Sequence, residues 1–172
     1  MPGHWRRRLA TSTLAAGGLV LASPILRRVI AERLAARTER RLNRVVDGGP
    51  YFVPPPAADL HEHLAVVDLH ADSLLFGRDL LVRGDRGHLD VPRMVEGRIA
   101  LEVFAATTHV PRHLNYDRND DRSDDIRLVA MVGGWPRPTW TSRVARAEHL
   151  AARLRETADR SVGHLRIIRT AT

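Results

Sequence analysis

Short apolar runs and helical stripes alternate along the chain from residue 64 onward. Residues 64–69 are Val-rich and bounded by turn-type sequence, which predicts a buried strand. Residues 99–109, carried by Ile99, Leu101, Val103 and Phe104, predict a second, and residues 165–168 a third. Between them, Asp90 is placed to cap a turn or two of helix over residues 91–96, with Pro92 in the first turn and Gly97 at the end. Residues 126–132 predict another helix, stopped by Gly133-Gly134-Trp135-Pro136. The clearest helix follows Thr141-Ser142. Its apolar positions Val144, Ala147, Ala151, Leu154 and Ala158 recur by three and four, and Ser161-Val162-Gly163 closes it. Residues 73–83 read as a short helix or a loop. Strands separated by helical crossovers give an α/β order, which implies parallel strands. No repeat of 20–50 residues is visible.

The beginning of the chain follows a different pattern. Arg6-Arg7-Arg8 precede an apolar stretch over residues 9–22, interrupted by Gly17-Gly18 and ending in Ser23-Pro24. A basic start followed by a short apolar core is the form of an export signal, and Val20-Leu21-Ala22 offers small residues for cleavage. The stretch is short for a full membrane span. Beyond it, Ile30, Leu34, Leu42 and Val45 fall at helical spacing, with Thr38 interrupting, while Arg33, Arg37, Arg40, Arg41 and Arg44 crowd the other positions. Such a basic amphipathic helix suits an anionic membrane surface. Three readings stay open: an export signal or anchor, a membrane-surface helix, or a helix packed on the domain. The first two place the protein in an exported or membrane-associated setting, the third in the cytoplasm. Gly48-Gly49-Pro50 and Pro54-Pro55-Pro56 are expected to break all regular structure. The chain therefore divides into a basic arm (1–46), a Pro/Gly-rich linker (47–60) and a domain (61–172).

Charge follows the same division. The 172 residues carry a net charge of +7, and all 27 basic residues are arginine. Residues 1–46 hold ten arginines against Glu32 and Glu39, a net +8, and the remainder is close to neutral. The body thus lacks the basic face that nucleic-acid binding needs. With no cysteine, disulfides and thiolate metal sites are excluded. Any metal must be held by His, Asp, Glu or backbone oxygen, which suits zinc, manganese, magnesium or iron.

The candidate chemistry lies in Val66-Val67-Asp68-Leu69-His70-Ala71-Asp72. Side chains at i and i+2 of a strand share a face, so His70 and Asp72 are placed to reach one ion at the strand's end. The plainer alternative is a histidine hydrogen-bonded to one carboxylate. Asp68 has the same parity and is a candidate supporting group. His61-Glu62-His63 reads as a surface element. The acidic loop with Asp117, Asn119, Asp121, Asp124 and Asp125 has Arg122 and Leu128 where a calcium loop needs Gly and Glu. It reads as a solvated loop laced by Arg118, Arg122 and Arg127. His88, His109 and His113 are isolated, although His109 closes the second strand and is a candidate for the same pocket as His70. Trp135, Trp140 and Tyr116 read as loop packing rather than a base-stacking surface. No phosphate loop, nucleophile elbow or Ser/His/Asp arrangement appears.

Two blocks, VVDLHADSLL and HLDVPRMVEGRIALEVFA, resemble the opening of the membrane dipeptidase (renal dipeptidase) family of zinc peptidases. The resemblance covers roughly residues 64 to 170 and leaves out the arm. It implies the N-terminal part of a (β/α)8 TIM-type barrel related to the amidohydrolases. It also implies two zinc ions bridged by a carboxylate and a hydroxide that attacks a dipeptide carbonyl, with the metals stabilising the oxyanion. His70 and Asp72 match the family's first-strand ligands. The block from Asp90 to Phe104 matches scaffold. The family's bridging glutamate and two further histidines come from later strands, and no Glu follows Glu156 here. The barrel is expected to be incomplete, since such folds take about 250 residues. The resemblance thus implies a dipeptidase-like chain that holds only the first metal ligands, has no catalytic residue of its own, and is inactive alone. The alternative is a non-catalytic, membrane-associated scaffold.

Overall fold

A computed structural model describes residues 24–46, 48–119 and 121–170. The leading stretch read above as a signal or anchor lies outside these residues. In chain order the elements are α1 (Pro24–Leu42), α2 (Pro55–Glu62), β1 (Val66–Ala71), a 3-10 turn (Ser73–Leu75), α3 (Val91–Glu96), β2 (Ile99–Phe104), α4 (Asp125–Val132), a second 3-10 turn (Arg137–Trp140) and α5 (Arg143–Arg160). No described helix is long and apolar enough to cross a membrane.

β1 and β2 pair in parallel, with Val67 opposite Leu101, Asp68 opposite Glu102 and Ala71 opposite Phe104. The Ala105 amide donates to the Ala71 carbonyl at 2.9 Å and extends the pairing one residue past the end of β2. β1 lies two residues further along than expected, which brings His70 inside the strand and leaves Asp72 just beyond it. β2 ends at Phe104 rather than 109, and the chain beyond is irregular.

The third strand does not form among the described residues. Residues 165–168 are extended, with Leu165 and Ile167 half-buried and Arg166 and Ile168 exposed, but they join no ladder. The turn after α5, with Val162 at φ +53° and Gly163 at φ +90°, carries them past β2. A trench of about 560 Å³ remains, walled by β2, by Leu154 and Ala158 of α5, and by residues 163–168.

The core lies beside the sheet rather than upon it. Leu74, Leu80, Ile126, Ala130, Trp135 and Leu150 form it, joining the turn after β1 to α4 and α5. Leu150, fully buried, anchors α5, whereas Val144 at the head of the expected stripe is exposed. Ser142 caps α5 by accepting from the Ala145 amide at 3.1 Å, and Asp90 caps α3 by accepting from the Arg93 amide at 3.0 Å. The prolines at 54–56 do not break all structure. Pro55 opens α2, because proline's missing amide and fixed φ suit the first helical turn.

α1 packs against α4, with Val29 and Ala36 half-buried, and reaches the body through Glu39. Buried Glu39 holds Arg78 Nε at 2.7 Å on one oxygen and Arg86 Nε at 2.7 Å on the other. The backbone after α1 joins the same loop: the Val45 amide donates to Asp85 at 3.1 Å and the Gly87 amide to Asn43 at 2.6 Å.

Candidate metal centre

β1 presents alternate side chains to alternate faces, so Asp68 and His70 share one face, and the turn that follows adds Asp72. The His70 ring Nε2 lies 3.2 Å from Asp72 Oδ2. The His70 amide donates to Asp68 Oδ1 at 3.1 Å, which fixes the strand's last residues from below. The other oxygen of Asp72 accepts from the Thr107 hydroxyl, brought in by the chain leaving β2. His70 remains 69% and Asp72 43% exposed at the side chain, so the pair faces open solvent. Behind it, Arg153 of α5 donates to the carbonyls of Leu74 and Phe76 and pins the turn that carries Asp72.

Glu102 is the group that the sequence reading passed over as scaffold. It stands beside Asp68 on the neighbouring strand, and both carboxylate oxygens are buried without a hydrogen-bond partner. Burial, and after it the Asp68 charge, push its pKa up to about 7. The signal was in the sequence: a single acid inside the apolar run Ile99-Ala100-Leu101-Glu102-Val103-Phe104.

This predicts a pH effect. The folded pKa lies above the ordinary 4.5, so the folded protein binds the extra proton between about pH 4.5 and 7. Stability from this group is greatest below pH 4.5 and falls as pH rises through 7. Glu102→Gln is expected to raise stability at pH 8 by on the order of 1–2 kcal/mol, discounted for partial solvation, with no gain at pH 4.5. Urea midpoints of both proteins across this range provide the check. A gain that is equal at both ends would contradict it.

The other expected candidates separate. His109 Nε2 donates to the Ser123 carbonyl at 3.0 Å. His63 Nδ1 donates to the Asp59 carbonyl at 2.7 Å on the exposed end of α2, and Glu62 meets Arg98 at 3.4 Å. In the acidic loop, the Asn119 side chain accepts from the Asn115 amide at 3.1 Å and donates to the Asn115 carbonyl at 2.6 Å. Asp124 caps α4 and pairs with Arg146 of α5 at 2.6 Å. Among the described residues no group of three or more His, Asp or Glu side chains converges on one point as a metal site would require. The structure therefore brings together three of the expected groups, His70, Asp72 and, through the His70 amide, Asp68, with Thr107 behind them. Comparison with protein-family models, with curated proteins and with solved structures finds no match.

Proposed function

We propose that this chain carries the opening segment of a membrane-dipeptidase-like metallopeptidase, with His70 and Asp72 as its first metal ligands. The observation that carries the reading is the 3.2 Å approach of His70 Nε2 to Asp72 Oδ2 at the C-terminal end of a parallel strand. That is the end at which α/β barrels place their chemistry. An imidazole nitrogen and a carboxylate oxygen side by side are donor types that zinc takes, so the pair is half of the usual four-coordinate set for one ion. It does not fit a second, since no third donor converges with them among the described residues. A bound zinc ion supplies Lewis-acid polarisation of a peptide carbonyl.

The chain's own residues prepare that site. Thr107 orients Asp72 by donating to its far oxygen, leaving Oδ2 toward His70. Asp68 holds the His70 backbone, and Arg153 holds the turn beyond. The opposite sheet face leaves Val67, Leu69 and Val103 exposed, the apolar surface that a barrel covers with helices. An open sheet of this kind supports the reading of a partial barrel.

Two ligands give weak affinity. Zinc titration of the 172-residue chain is expected to show a dissociation constant between about 10 µM and 1 mM, weakened at least about tenfold in His70→Ala. Zinc-loaded protein is expected to leave a panel of dipeptides uncleaved. Affinity that survives both His70→Ala and Asp72→Ala would remove the site. Turnover that is lost in His70→Ala would instead make the chain a complete catalyst.

A further inference from the structure

The outer side of α1 and the loop after it carry chemistry that the metal centre does not use. α1 turns Val29, Ala36, Glu39 and Asn43 toward the body and its apolar stripe toward solvent. Ile30 and Leu34 are exposed, and Leu42 is 73% exposed. Val46, Tyr51, Phe52 and Val53 are exposed as well, with Phe52 87% exposed, and Val46 and Tyr51 stand beside Arg40 and Arg44 at the end of α1. Single exposed apolar residues need no explanation, but a series of them along one helix and its following loop marks an interaction surface. Beside them opens a cavity of about 510 Å³, lined by Arg40, Arg44, Arg83, Arg93, Tyr51 and Asp85 among others. Residues 24–53 hold seven arginines against three acids.

We infer that this composite face docks on an anionic phospholipid surface. Tyr51, Phe52 and Val53 enter the boundary between headgroups and acyl chains, where rings and aliphatic tips gain most. Arg41 and Arg44 meet lipid phosphates as forked donors, beside a cavity whose other arginines already pair with Asp85, Glu96 and Asp90. Charge complementarity selects this occupant. A nucleic acid would use the arginines and leave the outward Phe52 and Leu42 without purpose, and an apolar protein groove would not need the basic excess. The face combines the end of α1, the loop at 51–53 and Arg83 of the body, so it is more than an amphipathic helix. None of its residues belongs to the His70 site, so the two readings fail independently.

Flotation of the full chain with vesicles tests it. Vesicles containing phosphatidylglycerol are expected to bind at least about tenfold more tightly than pure phosphatidylcholine, with the difference shrinking as salt is added. Arg41→Glu with Arg44→Glu, and separately Phe52→Ser with Val53→Ser, are each expected to weaken capture about tenfold or more. Both sets are exposed, so circular dichroism and the thermal midpoint stay unchanged. Equal binding to neutral vesicles would overturn the inference. So would capture unaffected by both variants, which would assign it to residues 1–23. Duplex DNA outcompeting the vesicles, or inorganic phosphate releasing them at constant ionic strength, would overturn the lipid assignment.

Discussion

Arg146→Leu is expected to destabilise the protein by about 3–5 kcal/mol, enough to abolish a cooperative unfolding transition in a domain with so small a core. Arg146 is fully buried, and its guanidinium makes four hydrogen bonds. Nε donates to the Thr139 carbonyl at 2.5 Å, and Nη2 to the Trp140 carbonyl at 3.0 Å. Nη1 serves the Thr108 carbonyl at 2.7 Å and the Asp124 carboxylate at 2.6 Å. One side chain therefore ties together α5, the second 3-10 turn, the chain leaving β2 and the cap of α4. Leucine restores apolar volume but strands three carbonyls and a partly buried carboxylate, and an unmet buried group costs about 1–3 kcal/mol. Arg146→Lys keeps the charge but loses the fork, so it is expected to fall between leucine and the native residue. Urea unfolding followed by tryptophan fluorescence reads the effect directly, because Trp135 and Trp140 adjoin the site. A leucine variant within about 1 kcal/mol of the native protein would show that water replaces the arginine's bonds.

The case of Arg146 shows where sequence periodicity stops. The stripe of small and apolar residues located α5 well, and the cap residues Asp90 and Ser142 behaved as their chemistry dictates. Periodicity ranks positions by apolarity, however, so it put exposed Val144 inside and could not place a charged residue at the buried centre. What buries Arg146 is a set of carbonyls from distant parts of the chain, and no local pattern encodes that. The same limit applies to Pro55, where a helix-breaking composition opened a helix instead, because position within the first turn decides proline's effect.

The site divides in the same way. The strand rule anticipated a meeting of His70 and Asp72, but Asp72 lies in the turn beyond β1, and the turn brings its carboxylate to the ring. Thr107 and Glu102 reach the same region only through the pairing of β2 with β1, a non-local event. The residues between 165 and 168 kept the alternation of a strand without the partner bonds that define one. Alternation reports which side chains turn inward. It does not report whether a neighbouring backbone is close enough to complete a ladder.

Glu39→Ala is expected to detach α1 from the body, at a cost of about 3 kcal/mol or more. Glu39 is buried, and its two oxygens each hold a different arginine, Arg78 and Arg86, at 2.7 Å. Alanine would leave the largely buried Arg78 guanidinium facing an empty anion site. Arg78 cannot simply swing away, since it also donates to the Leu89 carbonyl at 3.1 Å. Gly87 lies against its guanidinium, at φ +73°, where any side chain would collide with it. Ile30, Leu34 and Leu42 of α1 face outward, so the buried carboxylate is a main tie between the helix and the body, beside the packing of α1 on α4. Hydrogen exchange is expected to accelerate about a hundredfold or more over residues 24–42, while residues 143–160 keep their protection. The comparison variant is Arg40→Ala, whose pair with Asp85 at 2.8 Å is largely exposed, and its effect is expected to be much smaller. Equal exchange in the two variants, or protection lost throughout α5 as well, would mean that α1 is held by something other than this buried carboxylate.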